Sequence, residues 1–259
     1  MTIDFALEGK RALVTGAGQG VGQGIAATLA SAGAEVLVND YFAERAESAA
    51  EAIRVAGGLA VALPFDVTDH AAAHDAVSGA GGADILVNNA GNAGTEGFGT
   101  PTPFLETDPD DWASYLAVNL NGVMNCTHAA LPAMLERGWG RIITIVSDAA
   151  RSGGAQMAPY SAAKAGAAGF SRAIASEVAR YGVTVNNIAL GTMRTPVTEA
   201  FWDDPAMVDR QRSLMADYLV RRPGDPDDIA WMVATLASPR ASWVTGQTIP
   251  VNGGYSFAL

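Results

Sequence analysis

The sequence predicts an α/β fold: a doubly wound, mostly parallel sheet of seven strands flanked by helices, as a single domain over residues 1–259. Three observations carry this expectation. Short β-branched runs alternate with Ala-rich segments of helical period. A glycine-rich turn joins the first run to the first such segment. No linker, internal repeat or break in composition divides the chain, and α/β proteins of this length are routinely one domain.

Taken in order, the strand candidates are ALVT (12–15), EVLVND (35–40), LAVALPF (59–65), ADILVN (83–88), RIITIVS (141–147), VTVNNIAL (183–190) and QTIPV (247–251). Helical period fills 20–32, 43–56, 69–80, 110–137, 158–181 and 226–238. Such alternation implies βαβ units with right-handed crossovers, and hence a parallel sheet covered on both faces. Two segments fall outside it. One is the Gly/Pro/Thr-rich stretch 91–110, and the other is 196–218, which carries Phe201, Trp202, Met207, Leu214, Met215 and Tyr218. Both are expected to leave the carboxyl ends of strands, where ligands bind in open α/β sheets. Long loops in a compact domain are more often functional than accidental, so 196–218 is read as a substrate lid.

Composition narrows the function. A formal charge of −11 opposes nucleic acid and anionic membrane surfaces. The opening MTIDFALEGKR lacks a basic stretch followed by an apolar run, so no signal peptide is expected. No apolar stretch approaches the ~20 residues of a membrane span. The single cysteine, Cys126, excludes an internal disulfide. His70 and His74 share helical spacing without a third ligand, so they read as surface residues and no metal site is expected. The expectation is a soluble, cytoplasmic protein acting on a small molecule.

After the first strand comes TGAGQGVG, Thr15–Gly22. Its ordered glycines, Gly16, Gly20 and Gly22 with Gly18 extra, depart from G-x-G-x-x-G spacing. The physical logic is the same: glycine permits a tight turn and brings a pyrophosphate against the N–H groups of a helix start. Asp40 ends the second strand, where a carboxylate hydrogen-bonds the adenosine ribose of NAD and repels the 2′-phosphate of NADP. Arg45 is the one nearby cation that bears on this preference, and the cofactor expected is NAD.

Lysine is rare here, Lys10 and Lys164 being the only two, and Lys164 lies four residues after Tyr160 in YSAAK. On a helix the two share a face one turn apart. The spacing fits an exposed cation–aromatic pair. It also fits a phenol whose pKa is lowered from about 10 by a neighbouring ammonium, ready to exchange a proton with a hydroxyl or carbonyl oxygen. Proton exchange at oxygen, coupled to hydride transfer from carbon to a nicotinamide, is alcohol oxidation. Ser147, ending the fifth strand, is placed to hold that oxygen.

These residues resemble the short-chain dehydrogenase/reductase family over nearly the whole chain. The glycine pattern is met by Thr15, Gly16, Gly20 and Gly22, and N-N-A-G by Asn88, Asn89, Ala90 and Gly91. Val118–Gly122 is similar to the family's V-N-L-x-G stretch, and Ser147 precedes Tyr160 by thirteen positions. The resemblance implies a Rossmann-type fold with Tyr160 as acid/base, Ser147 holding the substrate oxygen, Lys164 binding the nicotinamide ribose, and Asn119 holding a water. The implied cofactor contacts are Gly16, Gln19, Gly20, Val21, Gly22, Asp40, Tyr41, Asp66, Val67, Asn89, Ala90, Gly91, Tyr160, Lys164, Gly191, Met193 and Thr195. It also implies a homotetramer built on the long helices 110–137 and 158–181.

Departures from the pattern matter. Leu190-Gly191-Thr192 stands where the family has Pro-Gly, which is expected to loosen the turn beside the nicotinamide. Asp148 adds a charge beside Ser147; facing the substrate, it would disfavour an anionic group there. The apolar lid points to a bulky substrate such as a hydroxyacyl thioester, an alicyclic or a steroid-like alcohol. Arg194, Arg210, Arg212, Arg221 and Arg222 suit either a phosphate-bearing carrier or a solvated charge set. A polyol or sugar dehydrogenase and a nucleotide-binding regulatory protein without turnover are the alternatives.

Overall fold

The computed structural model describes residues 5–91 and 102–257. Residues 92–101, half of the glycine-rich stretch 91–110, therefore lie outside the described residues. Seven strands form one parallel sheet: β1 (Arg11–Val14), β2 (Glu35–Val38), β3 (Leu59–Ala62), β4 (Ile85–Asn88), β5 (Gly140–Ser147), β6 (Val183–Leu190) and β7 (Thr248–Val251). Their order is β3-β2-β1-β4-β5-β6-β7, the doubly wound arrangement expected. The helices are α1 (Gly20–Ser31), α2 (Ala43–Val55), α3 (His70–Gly79), α4 (Pro109–Leu116), α5 (Gly122–Arg137), α6 (Ala149–Ser152), α7 (Ala158–Val178), α8 (Glu199–Asp203), α9 (Val208–Met215) and α10 (Pro226–Ala237).

Neighbouring residues along a strand point to opposite faces, so each strand feeds two cores. Val14, Val36, Val38, Val87, Ile143 and Ile188 pack with Ile25, Leu29, Ile53, Ile229 and Val233 of α1, α2 and α10. Leu13, Leu37, Leu86, Ile142 and Val185 pack on the other face with Val77, Cys126, Met134 and Val178 of α3, α5 and α7. Burial on both faces explains why the strands read as apolar runs rather than alternating ones. Strand order reverses between β1 and β4, which opens a crevice at their carboxyl ends.

Two boundaries differ from expectation. The third strand stops at Ala62 rather than 65, because Pro64 has no N–H for the ladder. The expected helix 110–137 is two helices joined by a π-helical turn, Ala117–Asn121. Asn119, fully buried at the centre of that turn, donates its side-chain amide to the Tyr115 carbonyl at 3.0 Å, where the regular i→i−4 ladder is interrupted. A π turn aims one side chain inward that an α-helix would have carried elsewhere, and such turns concentrate at functional sites.

Candidate active site

The glycine-rich turn is stitched to its surroundings by backbone groups. Gly16 and Gly20 have φ of +60° and +57°, in the left-handed region. A Cβ on Gly22 would overlap the Gly16 carbonyl and the Asn89 amide. Asn89 donates its amide to the Thr15 and Gly16 carbonyls at 2.9 and 3.0 Å, while Thr15 Oγ1 accepts from the Asn89 and Ala90 amides at 3.0 Å. Asn89, read from the sequence as a cofactor contact, thus has both amide protons engaged in shaping the turn. Gln19 precedes α1 without capping it, and the first turn carries no acidic residue. The helix start therefore presents free N–H groups and partial positive charge at the crevice. Val21 packs into the core beside it.

At the end of β2, the Asp40 carboxylate is buried. It accepts from Gly18 N at 3.1 Å and Phe42 N at 3.0 Å. A Cβ on Gly18 would lie 2.6 Å from both Asp40 Oδ2 and Arg45 Cβ, so that position is held to glycine. The Arg45 guanidinium lies over the Phe42 ring at 4.4 Å. Tyr41 is exposed. Asp66 accepts from Thr68 N and Thr68 Oγ1, both at 2.8 Å, and Val67 packs against Gly122. Thr195 lies 3.5 Å from where a Cβ of Gly20 would be, bringing the β6 exit onto the α1 start. An open helix N-terminus, obligate glycines around it and a buried carboxylate at the β2 end fit a nicotinamide dinucleotide.

Ser147, Tyr160, Lys164 and Asn119 come together from separate stretches of the chain. Tyr160 is buried beside Ser147 and has the Tyr115 ring edge-on at 6.4 Å. Ser147 Oγ accepts from Ala149 N at 3.2 Å. Lys164 Nζ, also buried, donates to the Ile145 carbonyl at 2.9 Å and lies 6.0 Å from the Tyr160 ring centre. Lys164 Nζ and Asn119 Oδ1 both abut Gly91, 3.0 and 3.1 Å from where its Cβ would be.

The electrostatics differ from expectation. Burial pushes the Tyr160 phenol up to about 12, with Ser147 pulling the other way, and burial lowers Lys164 to about 8. Desolvation of the charged forms outweighs any help that the ammonium gives the phenolate.

The β6 exit is firm, not loosened by the missing proline. Tyr218, buried at the end of the lid segment, accepts from Thr192 N at 2.8 Å and donates to Thr192 Oγ1 at 2.9 Å. Its ring lies 2.8 Å from where a Cβ of Gly191 would be. Gly224 N donates to Thr192 O, Arg194 N donates to Gly224 O, and Met193 bridges Gly224. Asp148 turns away from the crevice, its carboxylate buried against Arg151, Asn252 and Ser256. The adverse charge beside Ser147 is thus neutralised.

The lid is less apolar than its sequence suggested. Met215 and Tyr218 are buried in packing and Leu214 is exposed, leaving Phe201, Trp202 and Met207 half-buried. Of the five arginines, Arg194 pairs with Asp203, Arg212 with Asp209 and Arg222 with Asp228. Sequence reasoning missed the roles of Tyr218, Tyr115, Asn252 and the Ile145 carbonyl, since their partners are remote in the chain or are backbone groups that every residue has. His70 Nε2 and His128 Nδ1 lie 3.3 Å apart on the surface; among the described residues no group of three or more His, Cys, Asp or Glu is placed to hold a metal ion.

Comparison with known proteins agrees with this geometry. The family described as enoyl-(acyl carrier protein) reductase matches residues 16–256. The 3-oxoacyl-[acyl-carrier-protein] reductase FabG of Salmonella typhimurium is 38% identical over 254 residues, covering 96% of this chain and 98% of that protein. The 7alpha-hydroxysteroid dehydrogenase of Escherichia coli K12 is 35% identical over 255 residues, covering 97% and 96%. A solved gluconate 5-dehydrogenase from Burkholderia cenocepacia, in complex with NADP and tartrate, superposes with a TM-score of 0.88 at 35% identity, over 99% of this chain and 98% of that one. The chain belongs to the short-chain dehydrogenase/reductase family and is an oxidoreductase that interconverts an alcohol and a ketone, in a family that uses nicotinamide cofactors.

Proposed function

We propose that the protein oxidises a bulky, largely apolar secondary alcohol, reversibly, with NAD as cofactor. The observation that carries the chemistry is the burial of Tyr160 beside Ser147, with the buried Lys164 ammonium 6.0 Å from its ring centre. When bound, the nicotinamide accepts hydride from the carbinol carbon. Ser147 holds the substrate oxygen, and Tyr160 takes its proton during oxidation or returns it during reduction. Lys164 and Asn119, meeting at Gly91, hold the ribose side of the cofactor and the route by which the proton leaves. Asp40 supports NAD: its carboxylate sits where a 2′-phosphate would need a cation, and Arg45 is stacked on Phe42. A relative of similar structure was crystallised with NADP, so both cofactors enter the test.

The relatives named for acyl-carrier-protein substrates and for a steroid support the bulky class, as do Phe201, Trp202 and Met207 on the lid. A sugar acid is the second reading. Asp148 no longer opposes an anion beside Ser147, and the gluconate dehydrogenase neighbour was crystallised with tartrate. The deciding experiment follows NADH and NADPH formation from 3-hydroxyacyl-coenzyme A esters, alicyclic hydroxyacyl thioesters, hydroxysteroids and sugar acids. Turnover with NAD on the bulky members is expected. Turnover confined to sugar acids would transfer the assignment to the second reading, and preference for NADP would overturn the role given to Asp40.

The working form is a homotetramer in the cytoplasm. Supporting this, Trp231, Trp243 and Phe257 are exposed, with Trp243 97% exposed, and Leu116 and Met124 are exposed on α4 and α5. Exposed apolar side chains that form a contiguous patch mark association surfaces. Light scattering behind size exclusion is expected to give four times the 26.6 kDa chain mass; a monomer would contradict it. No described helix is long and apolar enough to cross a membrane.

A further inference from the structure

The carboxyl-terminal segment is bound to the catalytic end of the sheet by contacts that the chemistry above does not use. Asp148, adjoining Ser147, has its carboxylate fully engaged: Asn252 Nδ2 donates to Oδ2 at 2.6 Å, while Ser256 Oγ at 2.7 Å and Arg151 Nη1 at 3.1 Å donate to Oδ1. Arg151 extends the tie to Ser256 Oγ at 2.7 Å and the Phe257 carbonyl at 2.5 Å. Asn252 also donates to Ser256 O at 3.1 Å and accepts from Gly254 N at 3.0 Å. The same segment touches the β6 exit. The Asn252 carbonyl lies 3.2 Å from where a Cβ of Gly191 would be, Val220 N donates to Gly253 O at 2.8 Å, and the Tyr255 ring packs on Tyr218 at 5.0 Å.

The local backbone shows how this reaches Ser147. The Asp148 carbonyl accepts from Arg151 N at 2.8 Å and Ser152 N at 2.9 Å, which fixes α6. The first residue of α6, Ala149, gives its amide to Ser147 Oγ. A carboxylate that is buried and saturated with donors leaves Asp148 one pose, and that pose orients both α6 and the serine before it.

We propose that residues 252–257 are a brace for the active site. Held on Asp148, they set the orientation of Ser147; through Tyr218 and Thr192 they keep the β6 turn in register with it. Asp148, Asn252 and Ser256 are positioning residues, and the inference rests on Ser147 holding the substrate oxygen. A displacement of about 1 Å at a reacting group can cost on the order of a hundredfold in rate, so a partial loosening is expected to cost roughly tenfold.

The test is a reciprocal exchange. Asp148→Asn turns an amide N–H group towards one of the donors that the carboxylate accepted from, Asn252 Nδ2 or Arg151 Nη1. Asn252→Asp sets two carboxylates against each other. The double variant restores one donor and one acceptor in the opposite sense. With the best alcohol from the substrate panel, each single variant is expected to lose roughly tenfold in kcat, with the Kd of NAD within about twofold. The double variant is expected to return to within about threefold of the native rate. Native kcat per folded molecule in both single variants, with only a lower melting temperature, would reduce the contact to a structural tie and overturn the proposal. If the single variants do not fold, Ser256→Ala removes one hydroxyl and leaves the Asp148–Asn252 bond in place. That hydroxyl donates to Asp148 and accepts from Arg151 and Asn252. A loss of about two- to threefold in kcat is expected, and an unchanged kcat overturns the brace. Tyr160→Phe run alongside separates the two readings. Its retained turnover would sink the catalytic assignment itself, whereas a dead Tyr160→Phe with unaffected brace variants would sink the brace alone.

Discussion

Exchange of Tyr160 for phenylalanine is expected to lower kcat by about a thousandfold, within the range by which positioned acid–base groups accelerate proton transfer. The fold and the Kd of NAD are expected to survive, because the ring stays in place against Tyr115 and only the hydroxyl beside Ser147 is lost. The wild-type pH profile carries a second mark of the same group. With the phenol pushed up to about 12 by burial, little phenolate exists at neutrality, so alcohol oxidation is expected to accelerate as pH rises from about 7 towards about 10. The residual rate of the phenylalanine variant is expected to lack that rise. Steady-state assays of both proteins over this range, with equilibrium titration of NAD, check the two statements together.

The second large effect concerns Lys164, whose burial is costly. Its pKa falls from 10.5 to about 8, and a shift of that size corresponds to about 3 kcal/mol of stability forgone when the side chain is charged in the folded state. The sign follows from proton counts. Between about 8 and 10.5 the unfolded chain binds more protons at this site than the folded one, so stability rises with pH through that window. Below it, the penalty is fully present. Lys164→Met removes the penalty and forfeits the bond to the Ile145 carbonyl, worth about 1 kcal/mol. At about pH 7 the variant is therefore expected to be about 2 kcal/mol more stable than the native protein while losing nearly all turnover. That advantage is expected to disappear by about pH 10.5. Urea unfolding at about pH 7 and about pH 10 measures both; a variant less stable at the lower pH would show that the ammonium is not desolvated as described.

Much of the fold and of the site is legible in the amino-acid sequence itself. Strands buried on both faces announce themselves as apolar runs, and the turn Thr15–Gly22 carries its glycines because backbone must pass close to backbone there. Ser147, Tyr160 and Lys164 stand at fixed separations because one helix and one strand end must meet. What sequence could not show depends on groups brought together across the sheet. The π turn at Asn119 leaves no trace in a helical pattern that continues on both sides of it. Tyr218 reads as a lid residue, yet it replaces the rigidity of an absent proline by holding Thr192. Asp148 reads as a charge near the substrate, but its partners Asn252 and Ser256 lie more than a hundred residues on and turn it inward. The expected lowering of the tyrosine pKa fails for a similar reason: spacing reveals a neighbouring charge but not the desolvation that opposes it.

In the mechanism proposed for this site, hydride leaves carbon for a nicotinamide while a proton leaves oxygen for Tyr160. Its most direct measurement uses a secondary alcohol deuterated at the carbinol carbon, incubated with the enzyme and NAD, with the label followed by mass spectrometry. The predicted result is one deuterium on each NADH formed and none in the solvent. Deuterium appearing in water, or NADH formed without label, would contradict it.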